Sequence, residues 1–259
     1  ASTSSKTLRQ SDLLRSRLIP CLLVHNDGLV KTQNFKDPKY VGDPINAVRI
    51  FNEKEVDELI VLDIDASVQQ RAPNFGLIEN LAAECRMPLC YGGGVTSSRQ
   101  AAQIISFGVE KVAVSSAAIA NPSLITEMAR AVGSQSVVAV LDVKKNLVGR
   151  YSIFTSNGKR NTKLDPIDTA KKFQDLGAGE IVINSIDHDG KMSGYDLLLT
   201  EKVRSAIDLP MTVLGGAGQL ADIQALTSRF GIIGAAAGSM FVFKGKYRAV
   251  LINYPTGTE

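Results

Sequence analysis

Short runs of Val, Ile and Leu alternate along this chain with longer stretches in which apolar residues recur at helical spacing. Runs that are apolar at almost every position, and not at every second one, mark strands buried on both faces, as in a parallel sheet covered by helices. Eight such runs predict strands near residues 18–24, 58–63, 88–92, 111–115, 137–143, 180–185, 210–214 and 233–237. Eight parallel strands alternating with helices are what a closed (β/α)8 barrel requires. Helix starts fall between them: Asp43-Pro44, Ser97-Ser98-Arg99-Gln100, Asn121-Pro122 and Asp165-Pro166 each combine a capping side chain or a first-turn proline with an apolar periodicity.

The pattern is also written twice. Pro88-Leu89-Cys90-Tyr91-Gly92-Gly93-Gly94 returns as Pro210-Met211-Thr212-Val213-Leu214-Gly215-Gly216, and Asp57 to Asp65 returns as Gly179 to Asp187. Self-similarity of this kind implies a barrel built from two duplicated half-barrels. The first strands of the halves align as well, Leu18 to Val24 over Val137 to Val143, so Leu23 stands where the other half carries Asp142. Two insertions, residues 26–41 and 144–164, follow strands one and five at equivalent points of the halves. Loops after strands form the C-terminal rim of such a barrel, so both insertions are expected to act as lids over its mouth. The tail from Lys244 to Pro255 is short and rich in β-formers where an amphipathic helix would ordinarily complete the ring.

At 259 residues, with 44% hydrophobic and 21% charged side chains, the chain suits one barrel domain over residues 15–259 behind a flexible polar arm, residues 1–14. Its most apolar stretch, residues 231–243, is too short to span a bilayer, and the expectation is a cytoplasmic protein with no membrane partner. Three cysteines without a CxxC pair argue against a disulfide framework, and His25 and His188 match no metal-ligand spacing, so neither metal nor cofactor is expected. A net charge of +3 with interspersed signs gives no nucleic-acid footprint.

Candidate chemistry gathers at the two ends of the barrel. Gly92-Gly93-Gly94 with Ser115-Ser116, and Gly215-Gly216-Ala217-Gly218 with Gly238-Ser239, place bare backbone and hydroxyls at strand ends, one set per half. Such turns can aim N–H groups at an anion, so the pair points to a ligand with a phosphate at each end, although tight strand-to-helix turns alone would also explain the glycines. Asp142 is the candidate general acid or base, against the alternative of a helix cap. Lys31 is available to bind an anion or polarise a carbonyl, and Asp187-His188-Asp189-Gly190 to hold hydroxyls or order a cradle. At the opposite end Glu58, Lys111 and Glu180 open strands two, four and six, with Arg17 alongside and Ile233 expected as the fourth member of their layer. The ring reads either as a salt-bridged plug or as a gate for a small polar molecule.

From Arg17 to Phe243 these residues resemble the cyclase subunit of imidazole glycerol phosphate synthase. The resemblance rests on Arg17-Leu18-Ile19-Pro20-Cys21, Gly42-Asp43-Pro44, Asp57-Glu58-Leu59, Gly92-Gly93-Gly94, Asp187 to Gly190 with Gly194-Tyr195-Asp196, and Gly215 to Gly218. It implies a lyase-type amidotransferase barrel of histidine biosynthesis that takes ammonia from a glutaminase subunit docked at its N-terminal face. Carried over by position, Gly94, Ser115 and Ser116 form one phosphate site, Asp189, Gly190, Gly216, Gly238 and Ser239 the other. Lys31 and Asp142 match a substrate-binding lysine and one of two catalytic aspartates, while Arg17, Glu58, Lys111 and Glu180 match the ammonia gate. Leu23 replaces the second aspartate. A complete gate beside an incomplete pair, with the stretches Asn34 to Pro44 and Tyr247 to Pro255, is similar to a branch associated with lipopolysaccharide gene clusters. That likeness implies ammonia channelling to a sugar amidotransferase or synthetase for acetamidino formation. The alternatives are the histidine-pathway cyclase itself and, further off, a sugar-phosphate isomerase that needs no partner.

Overall fold

The computed structural model describes residues 15–245, 247 and 249–255; the expected arm lies outside them. Eight strands close into a parallel barrel: β1 (Arg17–His25), β4 (Leu59–Asp63), β5 (Leu89–Gly92), β6 (Lys111–Val114), β7 (Val137–Lys145), β10 (Glu180–Ser185), β11 (Met211–Leu214) and β12 (Gly234–Ala237). Neighbours pair in that order, and β12 pairs with β1 while β7 pairs with β10, so no edge is left between the halves. The predicted strands match these within a residue or two.

Alternation along each strand divides the apolar residues into two layers. Ile19, Cys21, Ile60, Cys90, Val182 and Ala236 point inward and fill the barrel, whereas Leu22, Val61, Tyr91, Ile181 and Ala235 point outward against the helices. Each such side chain is buried, which stabilises the fold by ~1.5–3 kcal/mol for the larger ones. The helices begin where their caps say. Asp43 Oδ1 accepts the Asn46 amide at 2.8 Å to start α1 (Pro44–Glu53), and Asp165 Oδ1 accepts that of Ile167 at 2.7 Å to start α6 (Pro166–Asp175). Between strands and rim, α2 (Phe75–Glu84), α3 (Ser98–Ser106), α5 (Ser123–Val132), α7 (Leu197–Arg204) and α8 (Leu220–Phe230) complete the outer layer.

Both insertions are antiparallel hairpins that continue barrel strands above the rim. β2 (Gly28–Gln33) pairs with β1, Leu23 opposite Val30, and carries β3 (Lys36–Gly42) on its outer edge. The connecting Asn26 and Asp27 both have positive φ, 47° and 61°, the backbone a two-residue hairpin turn demands and that these residue types tolerate. β8 (Tyr151–Thr155) pairs with β7, Asp142 opposite Phe154, and leads to β9 (Arg160–Asn161). The tail forms a small antiparallel pair, β13 (Phe243–Lys244) and β14 (Ala249–Val250).

One expectation is corrected. Ile233 is buried in the outer layer against the helices and does not join the inward ring. Ala236 points inward, so the inward position one pair earlier is Gly234, where a side chain would collide with Thr212 and crowd Arg17.

Candidate active site and axial ring

The C-terminal ends of the strands enclose a cavity of about 430 Å³ lined by both halves. Of the mouth residues singled out from the sequence, Leu23, Lys31, Gly94, Ser115, Ser116, Asp142, Asp189, Gly190, Gly216, Gly238 and Ser239 line it, whereas Asp187, which accepts the Lys145 amide at 2.8 Å, His188 and Gly218 do not. The glycine turns are forced by geometry. Gly94 and Gly216 sit at φ 73° and 113°, and a Cβ on either would run into backbone, of Arg71 and Pro73 in one case and of Gly194 in the other. The serines stand at the starts of two short helices, α4 (Ser116–Ala120) and α9 (Ser239–Val242), whose first turns face the mouth.

Asp142 lies near the end of β7 with its carboxylate enclosed. Asn184 Nδ2 donates to Oδ1 at 2.9 Å, and Ser115 Oγ stands 3.5 Å from Oδ2. Burial pushes this carboxyl up to about 6, while the hydrogen bonds from Asn184 and Ser115 act in the opposite direction. A group that titrates there can both take and return a proton near neutrality. Sequence reasoning missed Asn184, although the repeat marks it: Asn184 aligns with Leu62 as Asp142 aligns with Leu23. The sheet makes the correspondence concrete. Asp142 registers with Asn184 across β7 and β10, and Leu23 registers with Leu62 across β1 and β4. The polar couple of one half is thus an apolar couple in the other, and both leucines pack onto the inward core.

The other two carboxylates that line the cavity also make contacts of their own. Asp63 is ion-paired with Arg71 at 2.8 Å, and Asp189 accepts from Thr32 Oγ1 at 2.8 Å and from the Phe35 amide at 3.1 Å. Asp189 therefore ties the first hairpin down over the mouth, and its own amide is bonded to Ser185 O. Lys31, on β2, is buried beside Gly238 and donates to Cys21 O. Burial lowers its pKa, with the neighbouring Asp189 opposing. Neither histidine enters the cavity: His25 pairs with Asp65 at 2.7 Å, and His188 lies 2.8 Å from Ser185 Oγ. Among the described residues no cluster of His, Cys, Asp and Glu could hold a metal ion.

At the other end of the axis, Arg17 bridges Glu58 and Glu180, with Nη2 2.6 Å from Glu180 Oε1, and Lys111 Nζ bridges the same two carboxylates at 2.9 and 3.0 Å. Thr212 Oγ1, which the sequence reading had not included, donates to Glu180 at 2.6 Å. Burial by itself would push Glu180 up, but the hydrogen bond and charge of Arg17, with Lys111 and Thr212, hold it below the usual range. Burial likewise opposes the charge on Lys111, and Glu180 and Glu58 outweigh it and raise its pKa. The ring is a closed square of alternating charge.

The fold and site define a (β/α)8 barrel with a glycine turn from each half and a buried aspartate at its mouth, and a charged ring at its base. The chain matches the family described as histidine biosynthesis protein over residues 17–248. It is 55% identical over 253 residues, 97% of each chain, to a protein of Vibrio vulnificus provisionally named imidazole glycerol phosphate synthase subunit hisF3. A Leptospira interrogans protein with the provisional name of subunit HisF is 57% identical, over 94% of this chain and 96% of its own. The subunit HisF of Alkaliphilus metalliredigens is 40% identical over 81% and 83%. The chain belongs to this family, among the HisF-type subunits of imidazole glycerol phosphate synthase.

Proposed function

We propose that this barrel is the ammonia-consuming half of a glutamine-dependent pair. Ammonia from a glutaminase docked at the N-terminal face passes the ring of Arg17, Glu58, Lys111 and Glu180 and meets, at the mouth, a ligand held by a phosphate at each end. The observation that carries this reading is the alignment of ring, inward apolar layer and lined cavity along one axis. The relatives' names favour cyclisation of a bisphosphorylated formimino-carboxamide ribotide to imidazole glycerol phosphate, with Asp142 moving protons and Lys31 oriented toward the second cradle. They favour it over amidation of a sugar, which none of these three names mentions.

One observation supports amidation as a second reading. Ring closure on a rearranging sugar wants one group to deprotonate and another to protonate, and Leu23 with Leu62 is an apolar couple where a second acid/base group would stand. A barrel that keeps its ring and loses that group is suited to passing ammonia on to a synthetase, for acetamidino formation on a surface-polysaccharide sugar.

The test mixes the chain with its glutaminase, glutamine and the bisphosphorylated ribotide. Imidazole glycerol phosphate appearing in step with glutamine consumption supports cyclisation. Faster glutamine consumption without that product supports the second reading. A glutaminase indifferent to the chain removes both and leaves a partnerless isomerase.

A further inference from the structure

The strand that carries Asp142 does not end at the rim, because β7 runs on to Lys145 and returns through residues 146–150 into β8. From Val143 to Leu164 the chain holds six cations, Lys144, Lys145, Arg150, Lys159, Arg160 and Lys163, and no Asp or Glu. Among the described residues none of these cations is in an ion pair. Lys144 lies instead 5.9 Å over the Phe154 ring, and Lys145 5.4 Å over that of Tyr151. Asp196 accepts the Tyr151 hydroxyl and Asp187 the Lys145 amide, and neither is ion-paired with these cations.

At the tip, Leu147 and Val148 are 107% and 80% exposed. The turn fixes them there. Asn146 Oδ1 accepts the amides of Val148 and Arg150 at 3.1 and 2.8 Å, and the Asn146 amide bonds Arg150 O at 2.8 Å. Two branched apolar side chains held out on a hydrogen-bonded turn, among cations that form no ion pair among the described residues, have the composition of an interface anchor with a charged rim.

We propose that this hairpin is the docking element for a protein partner that presents an apolar pocket ringed by carboxylates, seated beside the mouth and at the end of the barrel opposite the axial ring. Nucleic acid fits less well: the two aromatic rings here are already covered by lysines, and the net charge is only +3. A lipid surface would need a larger apolar face than two residues. Docking here bears on the mouth directly. Beyond β8 the same excursion crosses it, Asn157 Nδ2 donating to Ile64 O at 2.7 Å, so a partner that grips the tip also holds the lid. The inference stands apart from the choice between cyclisation and ammonia delivery.

The experiment places a photoreactive phenylalanine derivative at position 148 of the full chain in its native cells, with position 79, exposed in the middle of α2 on the side of the barrel, as control. We expect one protein adduct at 148 and none at 79, with the crosslinked peptide rich in Asp or Glu. Lys144→Glu with Arg150→Glu should cut its yield about tenfold, and reversing the partner's acids should restore it. Lys144→Gln with Arg150→Gln, a milder pair should charge reversal disturb folding, should give a smaller loss at an unchanged melting temperature. No adduct above the control, an adduct indifferent to charge reversal, or one to a second copy, to nucleic acid or to lipid would overturn the proposal.

Discussion

Replacing Arg17 with methionine keeps most of its aliphatic volume and removes the charge that the axial ring is built around. Glu58 and Glu180, 3% and 4% exposed, would then share Lys111 alone, leaving one excess negative charge in a buried site. Removing one partner of a buried ion network costs ~3–5 kcal/mol; because Arg17 is itself 27% exposed, the lower end applies, roughly 3 kcal/mol. For a chain of this size that corresponds to a melting temperature lower by about 6–12 °C. The pH dependence separates charge from packing. In the parent, Glu180 has a depressed pKa, so its contribution is present above the unfolded value and is lost as pH falls through the folded one. In the variant, burial without Arg17 raises Glu180 above its unfolded pKa, a penalty that is full at neutral pH and disappears on protonation. The gap between parent and variant should therefore be widest at neutral pH and narrow toward the ordinary glutamate value of about 4.3. Urea unfolding of both proteins across that range is the assay. A gap that stays constant with pH would refute the reasoning and assign the loss to packing.

Other outcomes follow from the mouth. Asp142 has its pKa raised to about 6 by burial, so its charge opposes folding at neutral pH and ceases to do so below the unfolded value. Asp142→Asn should accordingly gain roughly 2–3 kcal/mol of stability at neutral pH while losing ring closure, read by urea unfolding and by product assay; a less stable variant would contradict this. Asn184→Leu removes a donor to the charged carboxylate, so the acidic limb of the pH–rate profile should move upward, and an unmoved limb would deny Asn184 its positioning role. Leu23→Asp should raise cyclisation on the order of 10²–10⁴-fold if the missing carboxylate alone limits the reaction, and no gain would mean that the mouth has changed in other ways as well.

The eight barrel strands and the duplication were legible because buried parallel strands are apolar at nearly every position, a signal that needs no tertiary context. Leu23 was legible for the same reason, since the repeat supplies its own comparison with Asp142. What escaped depended on facing direction or on partners. Ile233 reads as a strand residue like any other, and only the parity set by Ala236 turns it outward and leaves Gly234 to admit Arg17. Asn184 looked like an ordinary strand position until register set it against Asp142. Asp189 was singled out for hydroxyls or phosphate, and what the sequence did not show is that its Oδ2 also accepts from Thr32 and Phe35, contacts between segments far apart in sequence. The hairpin nature of the two insertions was hidden because polar, strand-edge residues such as those of β3 carry little periodicity.

In the proposed function, nitrogen enters this barrel from a glutaminase seated on the ring of Arg17, Glu58, Lys111 and Glu180. The direct measurement is glutamine turnover by that glutaminase as the chain is titrated in. Turnover should rise, saturate at equal amounts of the two proteins and lose that rise with Arg17→Met; turnover that stays flat throughout the titration would rule out docking of the glutaminase on this ring.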